Sequence, residues 1–226
     1  LRQSLVDYSR LCVTRQLSNA TAGNISVRFG EGMLITPSGI DPDLMQADQI
    51  AEVAFDGSFR SNWKPSSEWA LHAALYRSRP EAQAIVHAHP TYCVALSCLR
   101  EPIPPFHYMV AGCGGNEVPC APYAPFGSQA LADAVAETMG TTYRACLMAN
   151  HGMIAIGASL RGAFGLTEKL EVLAHRVLWS VPLALAVLWA TGRLRSLGRA
   201  MRDIRMLGMA ALTAALVSCN WGVYLY

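Results

Sequence analysis

Apolar residues first recur at helical spacing: Leu5, Tyr8 and Cys12 fall along one side of an amphipathic helix expected over residues 1–17. The turn-forming stretch Ser18-Asn19-Ala20-Thr21-Ala22-Gly23-Asn24 ends that helix. Ile25-Ser26-Val27-Arg28-Phe29 alternates apolar and polar as a strand does, and Gly30-Glu31-Gly32 turns the chain into a second strand over 33–36. A third strand over 50–55 runs into the hairpin signal Asp56-Gly57. Pro65 and an N-capping serine then open a helix with apolar periodicity to about Arg79, and Pro80 stops it. The apolar run Ala84-Ile85-Val86 leads into His87-Ala88-His89, closed by Pro90. Residues 90–99 read as helix, and the Pro- and Gly-rich 100–127 as loop. A helix follows over 129–139, and short strands over 145–149 and 153–156 flank Asn150-His151-Gly152 before a last helix near Ser159. Strands and helices interleave while the early strands are joined by hairpins, so the expected fold class is α/β, a mixed sheet with helices on its faces.

The pattern changes in kind towards the end. Residues 177–191 are apolar apart from Ser180 and include Pro182, residues 192–205 hold five arginines, and residues 206–226 carry no charge at all. That last run is long enough to cross the ~30 Å hydrocarbon core of a bilayer. A chain of 226 residues holds one medium domain, or a smaller one with an appendage. The net charge of +2 gives no argument for nucleic acid, but it hides an asymmetry. From Val172 onward six arginines face a single acid, Asp203, so the two parts belong to different chemical environments. The seven cysteines sit at irregular spacings without a Cys-x-x-Cys motif, which implies a reducing compartment and cysteines acting as small core hydrophobes. The first residues lack an apolar signal-peptide core, and the missing initiating Met implies that the extreme start is not included.

Candidate chemistry gathers around the His-x-His pair. On a strand the side-chain period is two, so His87 and His89 point to one face, half of a metal site that suits zinc. His151, between a short strand and a glycine, is placed to aim a third imidazole into a cleft. Glu68, expected in the first turn of its helix where the macrodipole favours negative charge, supplies a displaceable carboxylate. His72, one turn later, competes as a ligand but reads better as a packed or surface histidine. Gly23 with Asn24, Ser38 with Gly39, and Ser66 with Ser67 offer donors at turns or at a helix start that suit a phosphate.

These residues belong to longer motifs: Thr21-Ala22-Gly23-Asn24-Ile25-Ser26, Leu34-Ile35-Thr36-Pro37-Ser38-Gly39, Pro65-Ser66-Ser67-Glu68-Trp69, His87-Ala88-His89, Ile103-Pro104-Pro105-Phe106-His107-Tyr108-Met109, Gly114-Gly115-Asn116, Pro119-Cys120-Ala121-Pro122-Tyr123 and His151-Gly152. In that order, over residues 1–172, the chain resembles the class II aldolase/adducin family. The resemblance implies a three-layer α/β/α fold with a central mixed, largely antiparallel sheet. It also implies a zinc-dependent aldolase in the cytoplasm, a homotetramer with sites between subunits, that cleaves a ketose 1-phosphate to dihydroxyacetone phosphate and an aldehyde through an enediolate. Carried over by position, Glu68, His87, His89 and His151 hold Zn2+, and Glu68 becomes the proton-transferring base once substrate displaces it. Gly23, Asn24, Ser38, Gly39, Ser66 and Ser67 bind the phosphate. Tyr108 from a neighbouring subunit protonates the aldehyde oxygen, and Phe126 lines the aldehyde side. The family also includes adducin-like members without catalysis and an epimerase of pentulose phosphates; a full set of metal ligands favours the enzyme, and the stretches around Tyr108 and Tyr123 favour the aldolase branch.

Residues 173–226 depart from that pattern: through Glu171-Val172-Leu173-Ala174-His175-Arg176-Val177-Leu178-Trp179-Ser180 and Asn220-Trp221-Gly222-Val223-Tyr224-Leu225-Tyr226 they resemble a fragment of the EamA-type drug/metabolite transporter family. Five arginines between two apolar runs hold a loop in the cytoplasm, which would place the aldolase half on the opposite side, away from phosphorylated sugars. The tail therefore reads as a fusion or truncation product, with an inactive hybrid carrying a transporter fragment as the rival outcome.

Overall fold

The structure, a computed structural model, describes residues 1–190. Helix α1 (Arg2–Thr14) precedes a hairpin of β1 (Asn24–Phe29) and β2 (Gly32–Ile35), followed by β3 (Ala51–Ala54) and β4 (Phe59–Arg60). Then come α2 (Trp69–Ser78), β5 (Ala84–Ala88), α3 (Thr91–Leu99), β6 (Cys120–Ala121), α4 (Gln129–Met139), β7 (Ala145–Met148), β8 (Gly152–Gly157) and α5 (Leu160–Ala190). Among the described residues the strands form one eight-stranded sheet in the order β4-β3-β2-β1-β5-β8-β7-β6. Every pairing is antiparallel except β6 with β7, so the sheet is mixed and largely antiparallel.

Position in the sheet explains local composition. β5 is central and buried throughout, which accounts for its continuous apolar run before the histidine. On β1 the apolar–polar alternation predicts a strand, and both of its faces are covered. Ile25 and Val27 point to the side of α1, while Ser26, fully buried, points to α2 and hydrogen-bonds His72 and Tyr76 there. α2 and α4 pack on that face over a core including Ile35, Leu75, Ile85, Leu131 and Ile154. On the opposite face α1 lies against β1 and α3 against β7 and β8, with Tyr8 of α1 edge-on to Phe164 of α5 at 5.2 Å. The Asp56-Gly57 turn closes a hairpin as expected, and Ala54 N–H donates to Ser58 C=O at 2.8 Å.

Residues 100–127 hold more than loop: a 3-10 turn over Tyr108–Cys113 and the two-residue β6, too short to leave a period in the sequence. The N-terminus of α2 also differs from expectation. Glu68 itself is the N-cap residue, and no serine side chain caps the helix.

Leu1–Ala174 form one compact unit, and among the described residues 175–190 fall outside it. Among the described residues no helix is long and apolar enough to cross a membrane, and this includes the apolar run as far as Ala190. Of the two stretches that carry the transporter likeness, 171–180 lies within α5, while 220–226, like the arginine-rich 192–205 and the rest of the uncharged 206–226, lies outside the described residues. Six cysteines among the described residues are free thiols, with Cys12, Cys93, Cys113 and Cys146 buried.

Leu75 is fully buried between α2 and the sheet, whereas Leu44 is 72% exposed. Leu75→Ala should therefore lower the unfolding free energy by about 2–5 kcal/mol, and Leu44→Ala should stay within about 0.5 kcal/mol, as measured by denaturant unfolding followed by circular dichroism.

Candidate metal centre

Three segments deliver the histidines. His87 is on β5, paired to Asn24 of β1 on one side and Ile154 of β8 on the other. His89 lies just beyond the strand end, two residues on and so on the same face. His151 sits in the turn between β7 and β8, where Asn150 takes a left-handed φ of +57° and Arg100 donates to its side-chain oxygen at 2.8 Å. Two glycines let these segments close up. A Cβ on Gly23, at φ +80°, would lie 2.8 Å from His87 C=O, and one on Gly152 would lie 2.8 Å from His89 Cδ2.

The imidazoles stand edge to face around one point, with ring centroids 4.7–4.9 Å apart and ligand nitrogens all within 4.8 Å. His87 Nδ1 meets Met153 C=O at 2.8 Å, a group that only accepts, so this nitrogen carries the proton. His87 Nε2 then faces His89 Nε2 at 2.9 Å and Glu68 Oε2 at 3.0 Å. Glu68 Oε2 also accepts from Asn24 Nδ2 at 2.9 Å. Glu68 Oε1 is buried without a hydrogen-bond partner, and His151 Nε2 at 3.6 Å is too far to serve.

This crowd of lone pairs around His87 Nε2 requires something positive among them, either a proton or a cation. Without a bound cation a proton does part of that work. Burial works against charge on both partners, but His87 and Glu68 overcome it together. The imidazole beside it, with hydrogen bonds from His87 and Asn24, holds the Glu68 carboxyl well below the usual carboxylate range. Burial opposes charge on His87 too, yet the carboxylate raises its pKa. His89 falls to about 3 and His151 to about 4, first through burial and then through the charge on His87, which leaves both neutral and their lone pairs available. Neutral imidazoles plus one anionic oxygen, with an unpaired buried oxygen aimed among them, are the donor set a tetrahedral divalent ion takes. His72 is no part of it. Its two nitrogens are engaged by Ser26 Oγ and Asn24 Oδ1, each at 2.6 Å.

A cavity of about 410 Å³ opens beside the centre, lined by Glu68, His89 and His151 together with Gly23, Ser38, Gly39, Ser66 and Ser67. Two distant turns meet there because Pro37 and Pro65 form an isolated antiparallel bridge, with Ser38 N–H donating to Lys64 C=O and Ser66 N–H to Thr36 C=O. Asn24 also borders the cavity, with its Oδ1 turned to His72 and one N–H of its amide given to Glu68. Phe126 lines the cavity at 73% exposure, and so do Tyr123 and Asn150, neither of which the sequence reading singled out. For Asn150 a signal existed, since a left-handed residue directly before a candidate ligand sets that ligand's direction. Tyr108, 84% exposed, is not among the cavity-lining residues of its own chain.

Residues 3–178 match the family of the Class II Aldolase and Adducin N-terminal domain. The chain is similar to an L-fuculose phosphate aldolase of Haemophilus influenzae, 45% identical over 174 residues that cover 77% of this chain and 80% of that protein. It is comparably similar to a 5-methylthioribulose-1-phosphate/5-deoxyribulose-1-phosphate aldolase of Rhodospirillum rubrum, 44% identical over 177 residues, 78% of this chain and 79% of the other. Among solved structures it resembles an L-fuculose 1-phosphate aldolase with a TM-score of 0.73 at 35% identity, covering 93% of this chain and 94% of that one.

The proton arrangement predicts how cation binding depends on pH. His87 keeps its proton to higher pH than an ordinary imidazole, while His89 and His151 are neutral above about 4. Between about pH 5 and 6.5, displacing one proton should make divalent-cation affinity fall about tenfold for each unit of acidification. Calorimetric titrations across that window should return a slope of one; a slope of two or of zero would contradict the assignment.

Proposed function

The chain belongs to the class II aldolase and adducin family, and we propose that this metal-dependent aldehyde-lyase uses zinc to cleave L-fuculose 1-phosphate to dihydroxyacetone phosphate and L-lactaldehyde. The observation that carries this reading is the convergence of Glu68, His87, His89 and His151 on one point, beside a cavity also lined by Ser/Gly turns.

In this reading Glu68, His87, His89 and His151 hold the zinc, and the ion supplies Lewis acidity at the carbonyl and neighbouring hydroxyl of the sugar. Gly23, Asn24, Ser38, Gly39, Ser66 and Ser67 take the phosphate, offering hydroxyls, amide N–H and turn amides rather than a side-chain cation. Tyr108 of a neighbouring subunit in a homotetramer, which protonates the aldehyde oxygen in the bond-forming direction, removes the proton from the hydroxyl on the fourth carbon during cleavage. The bond between the third and fourth carbons then breaks, the electron pair stays with the three-carbon fragment, and the fourth carbon leaves as the aldehyde. The proton on Tyr108 returns to solvent, and Glu68, protonated from solvent once the substrate displaces it, delivers that proton to the carbon that received the pair. Its exchange between holding the ion and moving a proton is supported by Oε1, which has no hydrogen-bond partner to break. Phe126 and Tyr123 border the aldehyde side. A cytoplasmic setting, where phosphorylated sugars are held, fits this chemistry.

The similarity to the Rhodospirillum rubrum aldolase favours a second reading, in which a 5-substituted or 5-deoxy ribulose 1-phosphate is the substrate. Both readings release the same three-carbon phosphate and differ only in the aldehyde.

Steady-state kinetics on the two substrate types separate them: the fuculose reading requires the higher kcat/KM on L-fuculose 1-phosphate. In either case chelation should abolish cleavage and added zinc restore it. Glu68→Gln, assayed with its zinc content measured alongside, should lower kcat by about 10²–10⁴-fold; unchanged turnover would remove Glu68 from the mechanism.

A further inference from the structure

The face of α2 that meets β1 is polar along its whole length, although it lies in the buried layer between helix and sheet. Glu68, His72 and Tyr76 are spaced by four residues and form one stripe from the N-cap along the helix. Opposite them Asn24 and Ser26 share a face of β1 by strand alternation. All five are buried, with exposures of 7% or less. A row of this kind persists in a core only where each polar atom finds a partner, and here the partners can be assigned direction.

The carboxylate of Glu68 only accepts, so the group 2.9 Å away on Asn24 is its NH2, and Oδ1 turns towards His72. His72 Nε2, 2.6 Å from that Oδ1, therefore carries the proton and donates. Its Nδ1, 2.6 Å from Ser26 Oγ, holds the lone pair and accepts from the serine hydroxyl. Ser26 Oγ in turn accepts from Tyr76 OH at 2.9 Å. The bonds run one way, Tyr76 to Ser26 to His72 to Asn24 to Glu68, with His72 neutral at the midpoint.

We propose that His72 is a positioning residue for the metal centre. By donating to Asn24 Oδ1 it fixes the amide with NH2 towards Glu68, which anchors Oε2 and leaves Oε1 pointing among the histidines. Ser26 and Tyr76 hold His72 in the tautomer that this requires. The inference rests on the zinc reading above and assigns His72 no contact with ion or substrate.

The test is zinc affinity of the full chain, measured by competition with a chelating dye, with thermal melting of the zinc-free protein as a separate readout. His72→Phe keeps an aromatic ring but deletes the donor, and zinc binding should weaken about 10–100-fold, the size expected when a partner of a ligand is lost. His72→Gln, whose amide restores a donor, should recover most of that loss. If His72→Phe lowers the melting temperature but leaves zinc affinity within twofold, the role is purely structural and the inference is overturned while the zinc reading stands. If the unsubstituted chain binds no zinc at stoichiometric level, the zinc reading fails and takes this one with it. Should His72→Phe not fold, Ser26→Ala carries the test through the preceding link: a several-fold loss of zinc affinity supports the inference and an unchanged affinity overturns it.

Discussion

Placing the Glu68 carboxylate at the end of α2, out of water, constrains everything built around it. A buried charge of this kind costs several kcal/mol unless opposite charge and hydrogen bonds surround it. One of its oxygens is provided for by Asn24 and His87, and the other is left bare. The protein therefore holds an anionic oxygen and three imidazole nitrogens in a group that is stable only with positive charge at its centre. The sheet makes the grouping possible. β5 lies between β1 and β8, which sets Asn24 and Ile154 on either side of His87 and carries the β7–β8 turn, with His151, to the same end of the sheet.

From that constraint the layout of the cavity follows. The centre occupies one wall, and the turns around Gly39 and Ser66, held together by the Pro37–Pro65 bridge, occupy another. The histidines are anchored on and beside the central strands, whereas Glu68 continues the Pro65-Ser66-Ser67 turn, where Ser66 Oγ accepts from its N–H at 3.3 Å, so the carboxylate and part of the candidate anion site share one segment.

Much of this was legible in the residues. The strand period alone placed His87 and His89 on one face, and the turn signals located β1 to β3, α4 and the β7–β8 turn to within a residue or two. Three-dimensional commitments were not. Asn24 reads as the last residue of a turn and not as a partner of Glu68, a contact that follows from the sheet register setting it opposite His87. Ser26 reads only as the polar position of an alternating strand, and its place in a buried chain of hydrogen bonds follows from α2 covering it. Glu68 reads as a first-turn helix acid, whereas it precedes the helix as the N-cap residue. The partners of Asn24 and Ser26 depend on which surface covers them, a property set by elements far away in the sequence, whereas the Glu68 difference is a one-residue helix boundary. The two-residue β6 escaped for a simpler reason, being shorter than any period that could reveal it.

The claim at the centre of the account is that one ion is held by three imidazoles and a carboxylate, with no sulfur, although four buried cysteines lie in the same unit. X-ray absorption at the zinc edge, on protein loaded with one equivalent of zinc, tests it directly. The account predicts nitrogen and oxygen neighbours at about 2.0–2.2 Å with multiple-scattering features of imidazole, and a smaller imidazole contribution in His151→Ala. A sulfur shell near 2.3 Å, or a spectrum unchanged by that substitution, would contradict it.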